Sequence, residues 1–105
     1  MNHSLVFYPL ANQEIIESIR WYNFEKENLG FEFYEELNAQ LSLLAKNPRH
    51  YSIRFKNIRT SRIKRFPYLI YFRTNEKDAT LTILGVLHTS RNPQTIKEEI
   101  NGRHT

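Results

Sequence analysis

A chain of 105 residues, 40% of them hydrophobic, fits one domain and can bury roughly 65% of the surface its unfolded form exposes without any staple. It has no cysteine, which excludes a disulfide framework and a thiolate zinc site and makes the cytoplasm the expected compartment. No apolar run approaches the roughly 20 residues of a membrane helix, and the first residues lack the charged region of a signal peptide, so neither membrane insertion nor export is expected.

The net charge of +4 is modest, but it is segregated. Glu14, Glu17, Glu25, Glu27, Glu32, Glu35 and Glu36 crowd one stretch against only Arg20 and Lys26. From Leu37 to Asn75 the sign reverses: there is no acidic residue, while Lys46, Arg49, Arg54, Lys56, Arg59, Arg62, Lys64, Arg65 and Arg73 accumulate. A fold with an acidic layer and a basic layer attracts nucleic acid or an acidic protein segment to its basic side; the plainer reading is a solvated surface.

In chain order, Ser4 to Tyr8 (SLVFY), ended by Pro9, is a short strand whose apolar run calls for cover on both faces, inside a sheet or against helices. From about Leu10 to Glu27 the spacing becomes helical, with Ala11, Ile15, Ile19 and Tyr22 on one stripe and Ile16 widening it. Trp21 and Phe24 flank that stripe and serve as core edge or as partner surface, the core edge being the preferred reading. Asn28-Leu29-Gly30 reads as a helix stop, with Gly30 supplying the left-handed residue. A second helix carries Tyr34, Leu37, Leu41 and Leu44 and ends at Asn47-Pro48, so the two make an antiparallel hairpin.

After Pro48 the period is two: Ile53 and Phe55 alternate with Arg54 and Lys56. The stretch Ile58 to Tyr71 then joins the densest cationic cluster, Arg59, Arg62, Lys64 and Arg65, to a β-forming run, with Pro67 at the start of the second strand of a hairpin-like pair. Asn75-Glu76-Lys77-Asp78 is a turn, and Ala79 to His88 is a further strand, apolar on both faces and so central. Leu81, Ile83 and Leu87 fall on one face, Leu84 and Val86 on the other. Gly85 marks either a bulge or the close approach of another backbone. Asn92-Pro93 starts a terminal helix, which Ile96 and Ile100 pin down, and Asn101 to Thr105 read as frayed.

The opening strand LVFYPLA, the segment IKRFPYLIYF, the strand TILGVLH and the turn HTSRNP from His88 to Pro93, in this order around a helical hairpin, resemble the RelE/ParE superfamily of bacterial toxin–antitoxin toxins, which include plasmid stabilisation proteins. The resemblance covers nearly the whole chain. It implies one α+β domain over residues 1–105: a strand, a helical hairpin, an antiparallel strand meander in two layers, and a short C-terminal helix. It also implies a cytoplasmic toxin neutralised by a cognate antitoxin whose extended segment wraps it, with DNA gyrase or ribosome-bound mRNA as target. No cofactor, metal or small-molecule ligand is expected.

Superfamily members that cut mRNA activate the 2′-hydroxyl against the adjacent phosphate, which requires a base, an acid and cations. If this chain were such a nuclease, His88, Arg65, Arg91 and Tyr68 would be the candidates. Position 68 is Tyr where RNA-cleaving members such as YoeB carry Arg, and the ending HTSRNP resembles ParE-like members that act on gyrase. For partner binding the candidates are Arg59, Arg62, Lys64, Arg65, Tyr68, Arg73 and Arg91. Simpler roles exist for each: His88 as a structural histidine bonded to a backbone carbonyl, Arg91 in a local pair with Glu98 or Glu99, and Tyr68 and Tyr71 straddling core and surface. The preferred reading is a ParE-like toxin that acts by binding; the rivals are a ribosome-dependent endoribonuclease and a detoxified remnant that only binds antitoxin.

Overall fold

The computed structural model describes residues 2–103. Strand β1 (Ser4–Phe7) leads into helices α1 (Pro9–Glu25) and α2 (Leu29–Lys46). A single 3₁₀ turn (Pro48–His50) follows, then β2 (Ile53–Phe55), β3 (Ile58–Arg62), β4 (Tyr68–Asn75), β5 (Thr80–His88) and α3 (Pro93–Asn101). The strands form one sheet in the order β1-β5-β4-β3-β2.

The expected antiparallel meander is present from β2 to β5, but β1 joins it in parallel beside β5, so the sheet is mixed. The helical hairpin between them is the crossover that parallel pairing requires. Contrary to the sequence expectation, β1 is an edge strand with Val6 exposed; its four residues alternate exposed and half-buried because only the hairpin side is covered.

Pro9 opens α1 at a position where its missing N–H has no helical partner to lose. The connection to α2 departs from the expected form. Asn28 takes the left-handed conformation with φ 67°, while Gly30 lies in the first turn of α2. Glycine is needed there for contact, since a Cβ would collide with the Ile19 carbonyl and the Asn23 side chain, whose Oδ1 accepts from Gly30 N–H at 2.8 Å. The buried face of α2 starts one residue earlier than expected: Phe33, Leu37, Leu41 and Leu44 are buried and Tyr34 is exposed. On α1, Ala11 and Ile15 are buried, Ile16 is exposed, and Trp21 and Phe24 are surface residues at 57% and 86% exposure.

The hairpin covers one face of the sheet through Phe33, Leu37, Ile63, Phe66, Tyr68, Ile70, Phe72, Ile83 and Val86. On the other face a smaller cluster of Ile58, Tyr71, Leu84 and Leu87 takes Ile96 and Ile100 from α3, as expected. The face assignment of β5 needs one correction. Tyr71 pairs with Gly85 and Phe72 with Ile83, so Leu84 is the extra residue of a bulge. That extra residue reverses the alternation, and Val86 joins Ile83 under the hairpin while Leu87 joins Leu84 under α3.

Beside the bulge, β1 has already ended, and Tyr8 N–H to the Ile83 carbonyl at 2.9 Å is the last backbone bond between the two strands. A buried ion pair takes over from there. Arg103 donates to the Leu84 carbonyl at 2.9 Å and to both Glu14 oxygens at 3.0 and 2.7 Å, while Val86 N–H donates to Glu14 Oε1 at 3.1 Å. A Cβ at Gly85 would stand 2.8 Å from Arg103 Nη1 and from Ile100 Cδ1, so the glycine admits side chains here and also belongs to a bulge. Arg103 is only 6% exposed, and the segment expected to fray is anchored as far as this residue.

Candidate functional site

β4 and β5 place Tyr68 directly opposite His88, and their rings meet edge to face at 5.2 Å. The turn after β5 is held by Thr89 N–H donating to the Pro67 carbonyl at 2.8 Å and Arg91 N–H donating to the His88 carbonyl at 3.2 Å, which brings Arg91 back beside the strand end. Tyr68, His88 and Arg91 therefore line one shallow cleft of about 310 Å³, whose opposite wall is α1 with Glu14, Glu17, Ser18 and Trp21. That wall was missing from the sequence reading. Its signal was the spacing: Glu14, Ser18 and Trp21 recur every three or four residues, and Ser18 is buried without belonging to an apolar stripe.

Tyr68 is 7% exposed and packs into an aromatic cluster with Tyr22 and Phe33 at 6.0 and 5.0 Å, so it does not straddle core and surface as expected. Burial, with the neighbouring phenol of Tyr68, pushes Tyr22 up to about 12. Tyr71, on the other face, is likewise buried at 3% exposure. Burial raises its phenol, and Arg54 and Arg91 pull it back.

His88 is held differently from the expected structural histidine. Its Nδ1 accepts from Ser90 N–H at 3.0 Å, instead of donating to a carbonyl. In the neutral ring an accepting Nδ1 leaves the proton on Nε2, so the nitrogen that remains is a donor. Arg91 forms the expected local pair, giving one Nη2 to both oxygens of Glu99 at 2.9 and 3.0 Å.

The other candidates do not converge here. Arg65, at φ 73° in the loop before β4, reaches the second helix and pairs with Glu32 at 2.9 Å and Glu36 at 3.8 Å. Arg59 donates to the Tyr51 carbonyl near the β2 edge. Arg62 ends β3 and Lys64 lies beyond it, both exposed, and Arg73 is half-buried in β4 opposite Thr82. The expected acidic and basic layers are thus partly neutralised across their boundary by the Arg65 pairs.

A second kind of surface lies on the outside of the hairpin. Ile16, Phe31 and Tyr34 are exposed at 48%, 59% and 43% along two adjoining grooves that share Ile19 and Tyr34. No helix is long and apolar enough to cross a membrane among the described residues.

Comparison with known proteins separates family from fold. A comparison with curated protein sequences finds no match. Among solved structures, the chromosomal ParDE toxin–antitoxin system of P. aeruginosa superposes with a TM-score of 0.73 at 15% identity, covering 84% of this chain and 97% of that one. A double arginine-to-alanine mutant of the E. coli toxin RelE in its free state superposes with a TM-score of 0.71, also at 15% identity, covering 96% and 97%. At this identity the two likenesses speak for the fold alone. The sequence itself matches the model of the ParE toxin of the type II toxin–antitoxin system, parDE, over residues 5–93. The chain belongs to the ParE toxin family of type II toxin–antitoxin modules.

Proposed function

We propose that this toxin inhibits growth by binding, with DNA gyrase as its target, and that a cognate antitoxin holds it inactive in the bacterial cytoplasm. The observation that carries the choice of binding over RNA cleavage is the composition of the Tyr68–His88–Arg91 cleft. A nuclease must direct an unprotonated acceptor at the 2′-hydroxyl and surround the phosphate with cations. Here the Nδ1 of His88 is taken by Ser90, Tyr68 is a buried phenol, Arg91 is half committed to Glu99, and the facing wall carries Glu14 and Glu17. Arg65, the cation nearest in sequence, is turned toward Glu32. With Glu14 neutralised by Arg103, the cleft sets a half-committed Arg91 against Glu17 and offers a polyanion no converging set of cations.

The antitoxin reading draws on a different surface. Exposed Ile16, Phe31 and Tyr34 line two adjoining apolar grooves on the hairpin, and Arg62 and Lys64 offer charge for an acidic segment.

Two assays with the purified toxin separate the targets. In one, gyrase relaxes and re-supercoils plasmid DNA with toxin present, and accumulation of cleaved complexes is scored. In the other, mRNA 5′ ends are mapped on translating ribosomes. Inhibition or trapped cleavage in the first, with an unchanged transcript pattern in the second, supports the proposal. Codon-positioned cuts that vanish in His88→Ala or Arg91→Ala overturn it in favour of an endoribonuclease, and silence in both assays leaves an antitoxin-binding protein without toxin action.

A further inference from the structure

The two edges of the sheet are finished differently. At one edge β2 is three residues long, with an irregular register between Ile53 and Phe55 and the exposed cations Arg54 and Lys56. Shortness, irregularity and charge are the features by which an edge strand turns other chains away. At the other edge β1 pairs with β5 in unbroken register and carries no charge from Ser4 to Phe7. Val6 stands exposed there, on the face away from the hairpin.

The backbone of β1 fixes what this edge offers. Ser4 N–H donates to the Ala79 carbonyl and Tyr8 N–H to the Ile83 carbonyl, both at 2.9 Å, so the even-numbered residues turn their peptide groups toward β5. By the alternation of a strand, Leu5 and Phe7 turn theirs outward. His3 N–H is committed to the Ala45 carbonyl at 2.8 Å and Pro9 has no N–H, so the donors left along the edge are those of Leu5 and Phe7. The side chains alternate too. Leu5 and Phe7 pack under the hairpin, where Phe7 borders the apolar groove with Asn38 and Leu41, while Val6 borders a shallow polar groove with Thr80 and Thr82. A strand added here must present apolar side chains on the hairpin side and small or polar ones on the other, and SLVF meets that description itself.

We propose that β1 is a self-association edge, pairing antiparallel with β1 of a second copy about a two-fold axis through Val6, so that the two sheets become one. In that register Leu5 of each copy lies opposite Phe7 of the other, and each such pair exchanges both backbone hydrogen bonds. A register centred on Leu5 or on Phe7 would need the N–H of His3 or of Pro9 instead, one committed and the other absent. The Val6 side chains meet across the axis in the non-hydrogen-bonded pair, the closer of the two kinds. No charge in either strand opposes the approach, unlike Arg54 and Lys56 at the β2 edge. Two four-residue strands make an interface of the weak class, under roughly 1,200 Å², so the dimer is reversible. The proposal does not rest on the choice of target, since no residue of β1 lines the Tyr68–His88–Arg91 cleft; it meets the antitoxin groove at Phe7.

The test is analytical ultracentrifugation of the purified toxin across a concentration series, with amide hydrogen exchange followed alongside. A monomer–dimer equilibrium is expected, and rising concentration should slow exchange at Leu5 and Phe7 and leave Ser4 and Tyr8 unchanged. Val6→Lys sets like charges opposite each other across the axis and should weaken the dimer about tenfold. The position is exposed, and unchanged protection of α2 amides shows that the fold is kept. Because the chain has no cysteine, Val6→Cys places a single thiol at the axis, and mild oxidation should give a disulfide-linked dimer. Ile53→Cys, exposed on the β2 edge, should cross-link far more slowly. The proposal is overturned if Val6→Lys dimerises as well as the parent chain or if the two cysteine variants cross-link equally. It also falls if the toxin stays monomeric throughout the series, and protection of β1 only on adding the cognate antitoxin would then give the edge to that chain.

Discussion

The two faces of the sheet are held by different physics. Under the hairpin, Tyr22, Phe33, Phe66 and Tyr68 form a ring cluster with centroid separations of 5.0 to 6.0 Å, and the fully buried Phe72, Ile70, Leu81 and Ile83 complete a dry layer. On the other face α3 contributes only two buried isoleucines, Ile96 and Ile100, to a smaller apolar cluster, and its remaining anchors are polar: the Asn92 cap, the Arg91–Glu99 pair and the Arg103–Glu14 pair. Area-driven burial is broadly distributed and forgiving of small shifts, whereas a helix of nine residues is marginal alone and depends on a few oriented contacts. The α3 face is therefore the one expected to open first.

The largest effect should come from the hairpin face. Phe33→Ala removes a fully buried ring with three aromatic neighbours and should cost about 3–5 kcal/mol in denaturant unfolding. A loss below about 1 kcal/mol would mean that this cluster is not the main source of stability. Next is Arg103→Ala, which strands the Glu14 carboxylate beside the bulge. Because Glu14 keeps some solvent contact, about 2–3 kcal/mol is expected, below the full cost of breaking a buried pair. Hydrogen exchange sharpens the comparison here: α3 amides should exchange faster while α2 amides keep their protection, and equal loss on both faces would show that the two are one cooperative unit.

Smaller still is Asn92→Ala. The Asn92 side chain accepts from Gln94 N–H at 2.9 Å and Thr95 N–H at 3.1 Å, and removing it should cost about 1 kcal/mol, confined to α3 in the same exchange experiment.

The last effect is absent at neutral pH; Tyr22 carries it on the hairpin face, and the raised phenol of Tyr71 adds to it on the other. Tyr22 titrates near 12 in the fold against an ordinary phenol near 10. The unfolded chain therefore loses its proton first, so stability is intact below about pH 10 and falls as pH rises toward 12. In Tyr22→Phe that alkaline slope should flatten; an unchanged slope would assign it to another group.

Much of the fold was legible because it rests on local rules. The helical stripe of Ala11 and Ile15, the Asn92-Pro93 start of α3, its Ile96 and Ile100 anchors, and the strand following Pro67 each follow from spacing or from one residue's backbone chemistry. The candidate site was legible only in part. Tyr68, His88 and Arg91 lie near each other along two paired strands and a turn, so a β-pairing reading brings them together. The α1 wall of the cleft does not follow from it, since Glu17 and Trp21 reach the strand end only through the packing angle of a helix far away in sequence.

What the sequence by itself determined is the set of elements and the family, because periodicity, caps and turn residues act over a few positions and survive any tertiary arrangement. What only the tertiary structure decided are the relations between distant residues. It placed β1 at an edge in parallel, let Asn28 rather than Gly30 turn left-handed, and turned Arg65 toward Glu32 and away from the cleft. It also reversed the faces of β5 at Leu84 and buried Arg103 against Glu14 across 89 positions of chain. A one-residue bulge or a long-range ion pair leaves no periodic trace in the sequence, because its energy depends on where two segments meet and not on the order of residues within either.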